Sequence, residues 1–196
     1  MTTETPLKLA VITASVREGR FGPSVTEWFT AHANGAFEVD VIDVAEHGDL
    51  PLAFPAKGVE PPAEIVAAVG RITPRLEAAD AFVVVTPEYN HSYPASLKNL
   101  VDWHFTQWQA KPVGFVSYGG VSGGLRAVEH LRGVFAELHA VTVRDQVSFA
   151  FYWETWGENG PQDAEAADTA AKQLLSQLDW WGRALREARE RRPYAA

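Results

Sequence analysis

One apolar run governs what this chain can become: Ala81-Phe82-Val83-Val84-Val85, halted by Pro87. It shows no polar alternation, so both of its faces must be covered, as in the middle of a parallel sheet with helices on either side. The proline ends the strand, polar and aromatic residues form a turn, and a helix starts near Ala95. Such a junction sets residues at the carboxyl end of a buried parallel strand, where open α/β sheets bind ligands.

The rest of the chain repeats the alternation. Strands are expected at Leu7 to Thr13, Phe37 to Val44, Pro112 to Ser117 and Ala140 to Val147. Helices are expected from Pro23 or Ser24 to about Ala33, from Glu64 to Ala78, from about Ala95 to Trp108, up to about Leu138, and from about Ala164 to Arg189. Pro74 should kink or shorten the second of these. The pattern predicts an α/β fold with helices on both faces of a doubly wound, five-stranded parallel sheet. Strand order 2-1-3-4-5 suits it, with the switch point between strands one and three. All 196 residues read as a single domain, with no repeat and no linker. Residues 45–62 hold four prolines and two glycines, a long loop of the kind found at functional sites or interfaces.

Several classes of function drop out. The chain has no cysteine, which removes disulfides, thiolate metal sites and cysteine catalysis. Its six histidines are scattered without ligand spacing, so no metal site is expected. Ser15 and Ser117 lie outside any GxSxG context, and no Ser-His-Asp arrangement stands out. The formal charge is −8, and the basic run Arg183, Arg186, Arg189, Arg191, Arg192 is interrupted by Glu187 and Glu190, the pattern of a solvated helix face and not of a nucleic-acid stripe. No apolar stretch reaches membrane-spanning length, and the N-terminus lacks a signal-peptide pattern; the expected location is the cytoplasm.

Three strand-end turns carry the chemistry. The first, Thr13 to Ser24, brings hydroxyls and backbone N–H groups to the start of a helix, a favourable place for an anion. Arg17 can grip a phosphate in a bidentate fork. The turn is neither GxxxxGK[ST] nor GxGxxG, which disfavours a nucleoside triphosphatase and an ordinary dinucleotide fold. The second, Pro87 to Pro94, suits a flat heteroaromatic guest: Tyr89 and Tyr93 offer ring faces, and Asn90 offers both a donor and an acceptor. His91 is a candidate general acid by residue type, though a lone loop histidine is more often simply solvated. Lys98 and Asp102 are an i,i+4 surface pair. The third, Ser117 to Gly124, holds four glycines between 119 and 124 that let backbone approach a planar ligand. Arg126 follows as a candidate for a nucleotide phosphate.

These residues resemble a family, the flavodoxin-like NAD(P)H-dependent FMN reductases, a group with chromate, quinone and azo-compound reductases among its members. The resemblance runs from Leu7 to about the last helix. It rests most on PEYN at 87–90 continuing as HSYPASLKNLVDW, then on SVREGRFGPSV at 15–25, which is similar to a GSxRxGS phosphate loop, and on Ser117-Tyr118-Gly119-Gly120. Ala14, Arg20 and Gly22 depart from the residues usual there. The resemblance implies a flavodoxin-like fold. It implies that Ser15, Arg17, Phe21, Gly22 and Ser24 hold the phosphate and ribityl chain of FMN. Pro87, Glu88, Tyr89 and Asn90 would border the ring system, and Ser117, Gly119, Gly120 and Gly123 would contact it from the far side. Tyr93 and Arg126 fall to the substrate side, and Arg126 tilts the donor toward NADPH over NADH.

The activity so implied is hydride transfer from NAD(P)H to FMN and reduction of a second acceptor (a quinone, free flavin, azo compound or metal oxyanion) in a ping-pong cycle. The flavin carries the chemistry, so no side chain is assigned as catalytic. The alternatives are a flavodoxin-type electron carrier and a flavin-binding sensor without turnover. The expected partners are a small-molecule acceptor and a second or further copies of the chain, as a homodimer or homotetramer.

Overall fold

The computed structural model describes residues 5–56 and 58–195. In chain order its elements are β1 (Leu7–Thr13), α1 (Gly22–Ala33), β2 (Phe37–Asp43), α2 (Ala63–Gly70), α3 (Thr73–Ala78), β3 (Ala81–Pro87), α4 (Ala95–Asp102), β4 (Pro112–Gly119), α5 (Leu125–Glu137), β5 (Val141–Thr142), β6 (Val147–Ala150), α6 (Tyr152–Thr155), β7 (Trp156–Gly157), β8 (Gly160–Pro161) and α7 (Ala164–Arg191). Single 3-10 turns follow β2 at Val44–His47 and α4 at Thr106–Trp108. The main sheet is parallel in the order β2-β1-β3-β4-β5, and β6 also pairs with β4.

Alternation along the strands divides the core in two. Ala10 and Ile12 of β1, Phe82 and Val84 of β3, and Val113 and Phe115 of β4 point to a face covered by α2 to α5 through Ala68, Leu76, Leu97, Leu100, Leu131 and Phe135. Their neighbours Leu9, Val11, Ala81, Val83, Val85 and Val116 point the other way, to Val25 and Phe29 of α1 and Ala171, Leu174 and Leu178 of α7. The period of two thus serves both layers, and the central strands read as unbroken apolar runs for that reason.

Three expectations change in detail. The helix predicted over 64–78 is two helices, and Pro74 lies in the first turn of α3, where its missing N–H costs nothing. The helix predicted to Trp108 ends at Asp102. The fifth strand is split into β5 and β6. Residues 144–146 leave the ladder between them, and Arg132 holds the detour by donating to the carbonyl oxygens of Val143 (2.7 Å) and Arg144 (3.0 Å) and to Gln146 Oε1 (3.0 Å). Among the described residues, no helix is long and apolar enough to cross a membrane, and no cluster of His, Asp and Glu could hold a metal ion.

Candidate active site

β1, β3 and β4 lie side by side, with Thr13 opposite Val85 and Pro87 opposite Tyr118. The turns that leave their carboxyl ends therefore meet. They enclose a cleft of about 280 Å³ lined by residues 15 and 17–21, by 87–89, by 118–120, and by Tyr152 and Trp153.

The first turn is anchored to β2 and α4. Arg20 donates to the Ser15 carbonyl (2.8 Å) and makes a bidentate pair with Asp43 at the end of β2. Ser96, in the first turn of α4, donates to the Ala14 carbonyl (3.2 Å). With the turn fixed so, its own donors stay unspent: among the described residues, no protein acceptor takes the backbone N–H groups of residues 15–19. Arg17 is exposed, its guanidinium carbon 5.5 Å from the centre of the Tyr89 ring. Ser15 Oγ and the Tyr89 hydroxyl share a hydrogen bond of 2.7 Å across the floor.

Tyr118 supplies the most telling atom. Its ring is 3% exposed, and its hydroxyl is buried with no hydrogen-bond partner among the described residues. Burial pushes that phenol well above its ordinary range, so it remains an O–H donor. Buried polar atoms are rarely left unpaired in native proteins, which makes this hydroxyl, at the wall of the cleft, a candidate ligand contact. Gly22 explains how helix α1 comes so close: a Cβ there would stand 3.1 Å from both the Tyr118 oxygen and Thr13 Cγ2.

A family model described as NADPH-dependent FMN reductase matches residues 7–154. The chain belongs to that family. The reductase is 36% identical over 126 residues to an NAD(P)H-dependent FMN reductase of Schizosaccharomyces pombe, a match spanning 60% of each chain. It is 34% identical over 143 residues to a quinone reductase of Escherichia coli, spanning 69% of this chain and 74% of that one. In fold it is similar to the flavoenzyme NAD(P)H:(acceptor) oxidoreductase FerB of Paracoccus denitrificans, with a TM-score of 0.72, 23% identity, and coverage of 90% of this chain and 98% of that one. The reductase is accordingly an oxidoreductase that uses FMN and NAD(P)H.

The cleft fits FMN on its own terms. Unspent N–H groups and Arg17 gather at the start of α1, where an anion is favoured. Tyr118 lacks a protein partner among the described residues, and Tyr89 supplies an aromatic wall beside Arg17.

Of the residues singled out in the sequence, Ser15, Arg17, Phe21, Pro87, Glu88, Tyr89, Gly119 and Gly120 line the cleft. The rest stand elsewhere. Ser24 is exposed on the outer side of α1, in a separate depression with Trp28 and Trp156. Asn90 and His91 have φ of 48° and 76° and form the tip of a tight turn closed by Tyr89 N–H to Ser92 O (2.8 Å) and Ser92 N–H to Tyr89 O (3.1 Å). Asparagine suits that left-handed position. Tyr93 is half-buried against the apolar layer beneath.

Ser117 and Gly123 are also committed to the protein. Ser117 is fully buried and donates to the Gly123 carbonyl (2.8 Å), as does Ser148 (2.9 Å). Gly123 and Gly124 have φ of 60° and 89°, and a Cβ on them would approach Ser148 Oγ to 2.4 Å and Ser117 Cβ to 2.6 Å. Those glycines serve packing. Arg126 pairs with Glu88 (3.0 Å), which also accepts from Ser122 Oγ (2.6 Å) and from the Arg126 N–H (3.2 Å). Burial pushes Glu88 up, but these donors outweigh it and hold the carboxyl below its usual range.

Sequence reasoning left Arg20 and Tyr118 out of the assigned site. The signal for the first was its departure from the family pattern. The resemblance also implied that residues of the aromatic stretch from Phe149 to Trp156 shape the pocket, and Tyr152 and Trp153 of that stretch line it. Nothing in the sequence marked the Tyr118 hydroxyl as unpartnered.

Proposed function

We propose that the reductase transfers electrons from NAD(P)H to a quinone in a ping-pong cycle, with FMN held in the cleft between the turns that follow β1, β3 and β4. The observation that carries this is the convergence of unspent donors (residues 15–19, Arg17, Tyr118) on one aromatic-walled cleft. FMN held there would supply the two-electron redox chemistry. The protein's own residues position and select. The N–H groups of residues 15–19 and Arg17 grip the phosphate. The Tyr118 hydroxyl donates to a polar atom of the cofactor. Pro87, Glu88 and Tyr89 border the ring on one side, and Gly119 and Gly120 on the other. Overall, NAD(P)H gives up a hydride, one proton comes from solvent, and the quinone gains both to become the hydroquinone.

Quinone is favoured as acceptor because the Escherichia coli relative is named a quinone reductase. Arg126 gives no reason to favour NADPH over NADH, since its guanidinium already faces Glu88. A second copy of the chain is proposed to cover Phe54, which stacks on Trp103 at 4.4 Å, and Val66, which lines a depression with Trp103, because exposed apolar side chains gathered in this way suit an interface.

The test is direct. Purified protein is mixed with FMN, reduced anaerobically with NADPH or NADH, and then given 1,4-benzoquinone. Uptake of a yellow chromophore, bleaching by the nucleotide and recovery of colour with the quinone are expected, with parallel double-reciprocal plots. A protein that remains colourless with micromolar FMN, or one that binds FMN and is not bleached, overturns the reading. Light scattering that reports a monomer overturns the second copy.

A further inference from the structure

We propose that Trp153, with Phe151 beside it, is the surface on which the reductase seats the ring of a flat aromatic quinone, and so decides which acceptors it takes. This rests on the reading of the cleft given above.

The backbone is shaped to present these rings. β6 ends at Ala150, and Phe151 then takes φ 47°, ψ 48°, a left-handed conformation uncommon for a bulky residue and found where surrounding contacts impose it. Those contacts are present. The Phe151 N–H donates to the Gly120 carbonyl (3.1 Å), and the Phe151 carbonyl accepts from the N–H groups of Glu154 (2.8 Å) and Thr155 (3.1 Å). Thr155 Oγ1 ties back to the Ala150 carbonyl (3.0 Å). The turn is thus joined directly to the strand-four loop that lines the cleft.

Its two following residues do different work. Tyr152 is structural: it stacks on Phe21 at 4.5 Å and meets Tyr118 edge-on at 5.3 Å. Trp153 is 58% exposed and Phe151 40%, in edge contact with each other at 5.8 Å. Large aromatic rings left in water beside a ligand cleft offer apolar surface that packing has not used. Trp153 also lines the cleft itself, with its ring 3.6 Å from where a Cβ on Gly120 would stand. Its indole N–H is already spent on Glu154 Oε1 (3.1 Å). What it presents is therefore ring surface and not a hydrogen-bond donor, which suits a planar, uncharged ring stacked against it.

The test uses the FMN-loaded protein. With the flavin oxidised and NAD(P)H left out, no electrons are available to the quinone, so calorimetric titration with 1,4-naphthoquinone reads binding without turnover. Trp153→Ala is expected to weaken that binding about three- to tenfold, the range of one aromatic pair, and Trp153→Phe to restore most of it. In steady state with saturating NADPH, the ratio of kcat/KM for naphthoquinone to that for ferricyanide, which has no ring to stack, should fall by a similar factor in the alanine variant. Equal naphthoquinone affinity in wild type and Trp153→Ala, or a parallel fall for both acceptors, overturns the aromatic platform while leaving the flavin reading intact. A wild-type protein that takes up no FMN overturns both.

Discussion

The turn after β1 and the turn after β4 look alike in the sequence and behave as opposites in the structure. The second holds most of the glycine and invites the reading of a cradle for a planar ligand. Yet Gly123 and Gly124 are required because Ser148 and Ser117 crowd them, and Ser117, Ser122 and the Gly123 carbonyl are all bonded within the protein. The turn after β1 has a single glycine between residues 14 and 21, but it is braced from behind by Arg20 and Asp43 and leaves its N–H groups and Arg17 unused. Ligand capacity follows from donors left unspent by the fold, and glycine content is a poor guide to it.

That contrast can be broken, and the largest effect should come from the spent turn. Gly124→Ala forces a side chain into a left-handed position against Ser117 and should cost about 3 kcal/mol of stability, combining overpacking with backbone strain. Denaturant melts would show it, and FMN affinity of the fraction that folds should change little. Arg17→Ala is the converse case. It should weaken FMN binding by about 1.5–3 kcal/mol, the worth of a charged hydrogen bond, while the melting temperature of the cofactor-free protein stays put. A loss of stability without a loss of affinity would reverse the two assignments.

Tyr118→Phe sharpens the comparison by changing the sign. Removing a buried hydroxyl that has no protein partner should stabilise the cofactor-free protein by about 1 kcal/mol, and should loosen FMN by a similar amount. If the substitution destabilises the cofactor-free protein, the hydroxyl has a partner after all and the cleft loses its marker.

The smallest effect is acid sensitivity of the glycine-rich turn. Glu88 is held below its usual range in the folded protein, so its contribution is present above the unfolded pKa and is lost as pH falls through the lower folded value. Stability measured between pH 6 and pH 3 should therefore decline less steeply in Glu88→Gln than in wild type. Equal slopes would show that Glu88 titrates alike in both states. Arg126→Ala should shift stability by no more than about 1 kcal/mol, because its side of the pair is solvent-exposed.

Much of this was legible in the amino-acid sequence. The run from Ala81 to Val85 demanded a central parallel strand, since no other arrangement covers both its faces. The alternation of the remaining segments suited the order 2-1-3-4-5, which the sheet adopts, and with it a switch point between strands one and three. PEYN and the serine–arginine turn pointed to the right strand ends, because those positions depend on chain order alone. What the sequence could not decide was which polar groups the fold would consume. Asn90 serves a left-handed turn, Arg126 neutralises Glu88, and Ser117 ties down Gly123, whereas Tyr118, an apolar-looking member of a buried strand, keeps an unpartnered hydroxyl. Residue type states what a group can bond; only the packed chain determines whether a neighbour has already bonded it, whether that neighbour is six residues on, as Gly123 is for Ser117, or more than 30 away, as Glu88 is for Ser122 and Arg126.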